Sequence, residues 1–167
     1  MLSISTKSQL WSIDFLLGTF IFILSIVFLY TYIINTPQQD TGELTAESEI
    51  ISTSLLSEGY PTNWTPSNVI KIGLISNRRL NETKLDYFSQ LSYEESKSKL
   101  NVMDDYFIYF LDNNTQVYTI GSINGIGKPG INSTNLKEIE NPSKIIRTDR
   151  IIVYNNNILR MVLYTWA

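Results

Sequence analysis

The chain contains no cysteine and no histidine. Without cysteine there is no disulfide, no thiolate nucleophile, no iron–sulfur cluster and no thiolate zinc site. Without histidine there is no imidazole base, no Ser-His-Asp triad and no imidazole metal ligand. Any catalysis would fall to carboxylates, lysine or tyrosine. No constellation of these stands out, so no catalytic, cofactor-binding or metal-ligating residue is assigned, and a non-enzymatic role is expected. Charge is scarce too. Asp, Glu, Lys and Arg make up 17% of the 167 residues, against about 25% in an average soluble domain. The shortfall is concentrated in one block, since residues 15–39 carry no charged side chain. The mean hydropathy of −0.03 therefore averages two unlike parts. A net charge of −3 gives no general attraction to nucleic acid.

The charge-free block holds the run Phe-Leu-Leu-Gly-Thr-Phe-Ile-Phe-Ile-Leu-Ser-Ile-Val-Phe-Leu-Tyr-Thr-Tyr-Ile-Ile at 15–34. As a helix, 20 residues rise about 30 Å, the hydrocarbon thickness of a bilayer. The run is apolar all round, which a domain of this size would struggle to bury on every side. Trp11, Tyr30 and Tyr32 lie towards its ends, where amphipathic rings favour the interface. A membrane helix is expected. Lys7 precedes it, while residues 40–58 beyond it hold five carboxylates and no base. The positive-inside rule then puts the N-terminus in the cytoplasm and the C-terminal part outside. The run is longer than the apolar core of a secretory signal, and Asn35-Thr36-Pro37-Gln38-Gln39 offers no small-residue cleavage pattern. The helix is expected to stay attached to the mature protein.

Two features mark the start of this helix: Lys7-Ser8-Gln9 immediately upstream, and Asp14 at the entrance to the apolar run. Together with Gln-Leu-Trp-Ser-Ile-Asp-Phe-Leu at 9–16, they resemble the archaeal type IV pilin-like family, whose members carry a class III signal peptide. Ser8 stands where that family more usually has Gly or Ala, and Asp14 where it has Glu. The resemblance implies a leader over 1–8, cut between Ser8 and Gln9 by a prepilin peptidase. It implies a membrane and filament-core helix over 9–36, with Asp14 acting in assembly by pairing with a cation such as a neighbouring subunit's new α-amine. The implied partners are membrane lipid before assembly, other pilin-like subunits and the pilus assembly machinery. A different class remains open beside it: an uncut, single-pass anchored sensor or binding domain.

Beyond Pro37, which should end the membrane helix, residues 37–60 read as a linker and an amphipathic stem helix. Leu44, Ile50, Ile51, Leu55 and Leu56 form its apolar stripe, and Gly59 with Pro61 stops it. Residues 61–167 read as an extracytoplasmic head, making the whole chain α+β, with an antiparallel sheet packed on helices. Strands are expected at 69–75, 106–111 and 116–120, with a turn at 112–115. Helices are expected at 81–91 and 93–100, the second capped by Ser92. Residues 121–143 read as an exposed loop. A terminal hairpin of 145–154 and 158–166 turns at Asn155-Asn156-Asn157.

Gly125-Ile126-Gly127-Lys128-Pro129-Gly130 matches the dinucleotide fingerprint only formally, because no apolar helix follows to face a pyrophosphate. The pairs Glu94-Glu95 and Asp104-Asp105 read as solvated charge. Four N-glycosylation sequons begin at Asn63, Asn81, Asn113 and Asn132. Their placement beyond the membrane helix gives them meaning, and Pro66 disfavours the first.

Overall fold

A computed structural model describes residues 6–35, 42–136, 142 and 144–167. It divides the chain into two compact units, Met1–Asp40 and Thr41–Ala167. The first holds one long helix, α1 (Thr6–Asn35). The described residues of the second form three α-helices and six strands: α2 (Gly42–Leu55), β1 (Ile75–Ser76), β2 (Arg79–Leu80), α3 (Glu82–Gln90), α4 (Tyr93–Leu100), β3 (Asp105–Leu111), β4 (Ile126–Gly127), β5 (Ile145–Tyr154) and β6 (Asn157–Trp166). The expected α+β class is observed. Pro37 and the start of the expected stem helix lie outside the described residues.

In the second unit an antiparallel sheet of order β4-β3-β6-β5 carries α2 across β5 and β6. Alternation along the strands divides the side chains between two faces. Tyr106, Ile108 and Phe110 of β3 join Met161 and Leu163 of β6 in the main core, with Ile51 and Leu55 of α2. Phe107, Tyr109, Val162 and Trp166 form a smaller cluster on the opposite face with Leu136. The terminal hairpin forms as the asparagines demand. Tyr154 pairs with Asn157, so the turn is Asn155-Asn156, at φ 46° and 62°. Two successive left-handed residues make the turn whose twist suits a hairpin. Helices α3 and α4 also form, capped by Asn81 and Ser92.

Four local expectations need correction. Residues 69–75 do not form a strand; only Ile75 enters one, and Tyr60–Lys71 is an isolated bridge. The segment's amides bond elsewhere, Leu74 N–H to Leu55 O and Ile75 N–H to Ser57 O. They cap the carbonyls that end α2, which satisfies them as fully as a ladder would. Gly73 allows this approach, since a Cβ there would lie 2.2 Å from the Gly59 nitrogen. Residues 116–120 contribute only isolated bridges, at Val117 and Ile120. The Asp112 carboxylate instead draws Asn114 N–H and Gln116 N–H into the preceding turn, at 2.8 Å each.

The glycine-rich stretch is not simply a loop. Ile126 and Gly127 pair with β3, and a Cβ on Gly127 would lie 2.3 Å from Tyr106 O. The glycines of the formal dinucleotide match thus serve close strand approach. Finally, the apolar stripe of α2 is interrupted. Leu44, Ile51 and Leu55 are buried, whereas Ile50 is exposed and Leu56 half-buried. Ser48, Ser52 and Ser54 take the remaining inward positions. Their small side chains let the helix pack closely and bond inward: Ser48 Oγ lies 2.6 Å from Thr148 Oγ1 on the sheet, and Ser54 Oγ donates to Ile72 O at 2.9 Å in the segment that follows α2.

Candidate functional site

Helix α1 carries the strongest functional signal. Within it, Ile13–Ile34 is long and apolar enough to cross a membrane, and none of that span is buried against protein. Twenty-two residues rise about 33 Å, matching a bilayer core. Large apolar side chains project all round, with Phe28 81% exposed. The threonine and serine hydroxyls in the run are satisfied within the helix. Thr19 Oγ1 donates to Phe15 O at 2.9 Å, Ser25 Oγ to Ile21 O at 2.8 Å, and Thr31 Oγ1 to Val27 O at 2.7 Å. Each of these three hydroxyls reaches back one turn, so none of them would face hydrocarbon unbonded.

Asp14 sits one residue into this span and is exposed. Ser8 and Gln9 fall in the first turns of α1, with their side chains outside the described residues. The Ser8–Gln9 peptide bond is therefore helical, and a peptidase would have to open the terminal turn, which frays most readily.

The four sequons differ in ways sequence alone does not show. Asn81 is committed to structure: its Oδ1 accepts Lys84 N–H at 3.1 Å, capping α3, and its Nδ2 donates to Ser76 Oγ at 3.2 Å. Asn63 is exposed, but its Thr65 hydroxyl is engaged with Asn68 Oδ1 at 3.2 Å and Ser67 Oγ at 3.0 Å. Asn113 is exposed in the turn after β3. Asn132 is exposed, with its Oδ1 accepting both Thr134 N–H at 2.9 Å and Thr134 Oγ1 at 2.6 Å. That arrangement brings the sequon hydroxyl onto the acceptor amide of an exposed residue.

Asp104 and Asp105, read above as solvated charge, are partly buried and hold different partners. Asp105 Oδ1 accepts Tyr93 Oη at 2.9 Å, Lys97 Nζ lies 3.6 Å away, and Lys128 Nζ bonds Oδ2. Burial pushes the Asp105 carboxyl up, but the Lys128 and Tyr93 bonds outweigh it and hold it below the ordinary carboxylate range. Asp104 lies in the bend that leads into β3. Burial raises it, and the carboxylates of Glu47 and Glu43 add to the rise. Glu47 meanwhile accepts Met103 N–H at 3.0 Å and Asp104 N–H at 2.9 Å, tying α2 to the start of β3.

Beside Asp105, burial pushes the Tyr106 hydroxyl up to about 12, and its oxygen lies 2.5 Å from Ser96 Oγ. Sequence reasoning also missed Lys84, which is buried and donates to Glu58 O at 2.7 Å and Ile75 O at 3.0 Å. Burial lowers its pKa. The only signal was its place three residues after a helix cap, which does not distinguish it from a surface lysine. These groups staple loops to helices. Among the described residues no group of three or more acidic side chains could hold a metal ion.

A groove of about 580 Å³ runs between α2 and α4, with Ile50 and Leu100 on its apolar wall and Glu49, Lys71 and Lys99 at its rim. No family model matches the chain, and no curated protein or solved structure matches it.

Proposed function

We propose that this chain is a pilin-like structural subunit, major or minor, of an archaeal type IV pilus-like surface filament. The observation that carries the reading is the apolar helix, exposed all round and with its threonine and serine hydroxyls bonded to its own backbone, joined to a separate compact α+β unit. Such a helix has two suitable environments, lipid or a bundle of its own kind. In this reading α1 holds the subunit in the cell membrane, N-terminus cytoplasmic and head outside. It then leaves lipid to pack against other copies in a filament core. Ser8–Gln9 is the processing site, and Asp14 sets register by pairing with a cation from a neighbour, since an unpaired carboxylate in apolar surroundings is costly. The head forms the surface and is a candidate glycoprotein and adhesion module. No step requires catalysis or a cofactor.

Replacing Ser8 with Phe tests processing. A bulky side chain at the cut should leave the leader on and abolish filament incorporation, with membrane insertion unchanged. Normal incorporation of the Ser8→Phe protein would contradict the reading. The groove beside α2 favours one alternative, an uncut anchored binding domain, for which Ser8→Phe should change nothing.

A further inference from the structure

The sheet ends on one long edge strand, β5, and its hydrogen-bond phase can be read from a single contact. Ala167 N–H donates to Lys144 O at 3.3 Å, so residues 144 and 167 form a bonded pair. Bonded and non-bonded pairs alternate in an antiparallel ladder. With Ile145 opposite Trp166 and Thr148 opposite Leu163, the even-numbered residues of β5 bond to β6. The odd-numbered ones, Ile145, Arg147, Asp149, Ile151 and Val153, turn their N–H and C=O outward. The same phase places Tyr106 and Phe110 of β3 away from β6, where their carbonyls accept Lys128 N–H and Tyr118 N–H, both at 2.9 Å or less. Among the described residues no backbone hydrogen bond meets the outer edge of β5 from outside the strand. The edge also carries exposed apolar side chains, Ile145 at 45% and Ile151 at 76%. Proteins ordinarily blunt or cover such an edge.

We propose that two copies of this chain pair edge to edge through β5, antiparallel about a two-fold axis at Thr148. This register is self-complementary. Ile145 faces the second copy's Ile151, Arg147 faces its Asp149, and the two relations repeat by symmetry. All four are outward-facing pairs, able to exchange about eight backbone hydrogen bonds. Apolar contacts lie at both ends and opposite charges at the centre, the pairing that stabilises a cross-strand ladder. Within one copy Arg147 already grips Asp149 at 2.8 Å, and Arg160 lies 3.5 Å from the same carboxylate. Pairing would join both sets into one network. Centring on Asp149 instead would set two carboxylates against each other.

Two elements pack against β5 besides β6: α2, and β2 near the strand's C-terminal end. Helix α2 lies across β5 and β6, so the two copies of α2 would stand roughly 10 Å apart, the distance at which helices pack. The ladder ends at Ile151, where the β1–β2 turn frames a cavity of about 420 Å³ with Arg78 and Val153. Because a two-fold pair closes on itself, this contact defines a dimer rather than the growth of a filament. It does not depend on the pilin reading.

The cysteine-free sequence permits a direct test with the full-length protein in detergent or native membranes. Thr148 would meet its own copy in a non-bonded pair, with Cα atoms about 4.5 Å apart, within disulfide reach. Thr148→Cys should give a disulfide-linked dimer on mild oxidation. Ile151→Cys should not, because the two Ile151 Cα atoms would be about 20 Å apart. In the Thr148→Cys background, Asp149→Arg sets like charges opposite one another and should abolish the dimer band. Adding Arg147→Asp restores complementarity and should restore the band, which separates pairing from folding. Absence of a Thr148→Cys dimer, equal cross-linking through Ile151→Cys, or a band insensitive to Asp149→Arg would overturn the proposal.

Discussion

Asp104 and Asp105 are adjacent in sequence yet shift in opposite senses, because Asp105, the first residue of β3, bonds Lys128 and Tyr93, whereas Asp104, in the bend before it, is partly buried near the carboxylates of Glu47 and Glu43. Asp105 is held below its ordinary range, so its contribution to stability is present above the unfolded carboxylate pKa of about 3.9. That contribution is lost as pH falls through the lower folded value. Asp104 is raised, so it favours the fold when protonated and weakens it as pH rises through its folded value. Asp105→Asn should therefore destabilise the protein at pH 7 by about 2 kcal/mol, the scale of hydrogen bonds to a charged group. The acid-side slope of its stability profile should flatten. Asp104→Asn should leave stability at pH 7 equal or higher. Chemical denaturation across pH 3–8 checks both signs.

The sequons give a second prediction at this scale. In protein recovered from membranes, glycopeptide mass spectrometry should find modification at Asn113 and Asn132 and none at Asn81, whose amide nitrogen is bonded to Ser76. A glycan on Asn81 would require its cap to break.

Among the elements, those governed by local chemistry were legible in the sequence. Asn155-Asn156 specified a hairpin, Ser92 a helix start, and the charge-free run a long apolar helix, because each signal acts within a few residues. What was illegible depended on distant partners. Residues 69–75 have the composition of a strand but spend their amides on the end of α2. Gly127 looks like loop until β3 is placed against it. The inward place of Ser48 and Ser54 on α2 depends on partners, Thr148 and Ile72, that lie far away in the chain. The candidate site divides in the same way: Ser8, Gln9 and Asp14 were read from one contiguous motif, whereas the partners of Asp105 and the burial of Lys84 needed the fold.

The close approach of Gly73 to Gly59 yields an element-scale prediction. Gly73→Ala forces a Cβ against backbone atoms that cannot swing aside, so it should cost about 2–3 kcal/mol or more. Thermal unfolding should show the loss, and an unchanged midpoint would mean that the segment can shift without penalty.

At the scale of the whole molecule, near-zero mean hydropathy describes neither unit. One is an apolar helix whose threonine and serine hydroxyls bond to its own backbone and whose side chains have no protein cover. The other buries its own core around a four-stranded sheet. The pilin reading assigns assembly to the first and the surface to the second. Its distinguishing claim is that the eight residues before Gln9 are removed, since an anchored binding domain has no need to lose them. The most direct measurement is the N-terminal residue of protein recovered from membranes or filaments, by terminal sequencing or intact mass. The account predicts Gln9; an intact Met1 would contradict it.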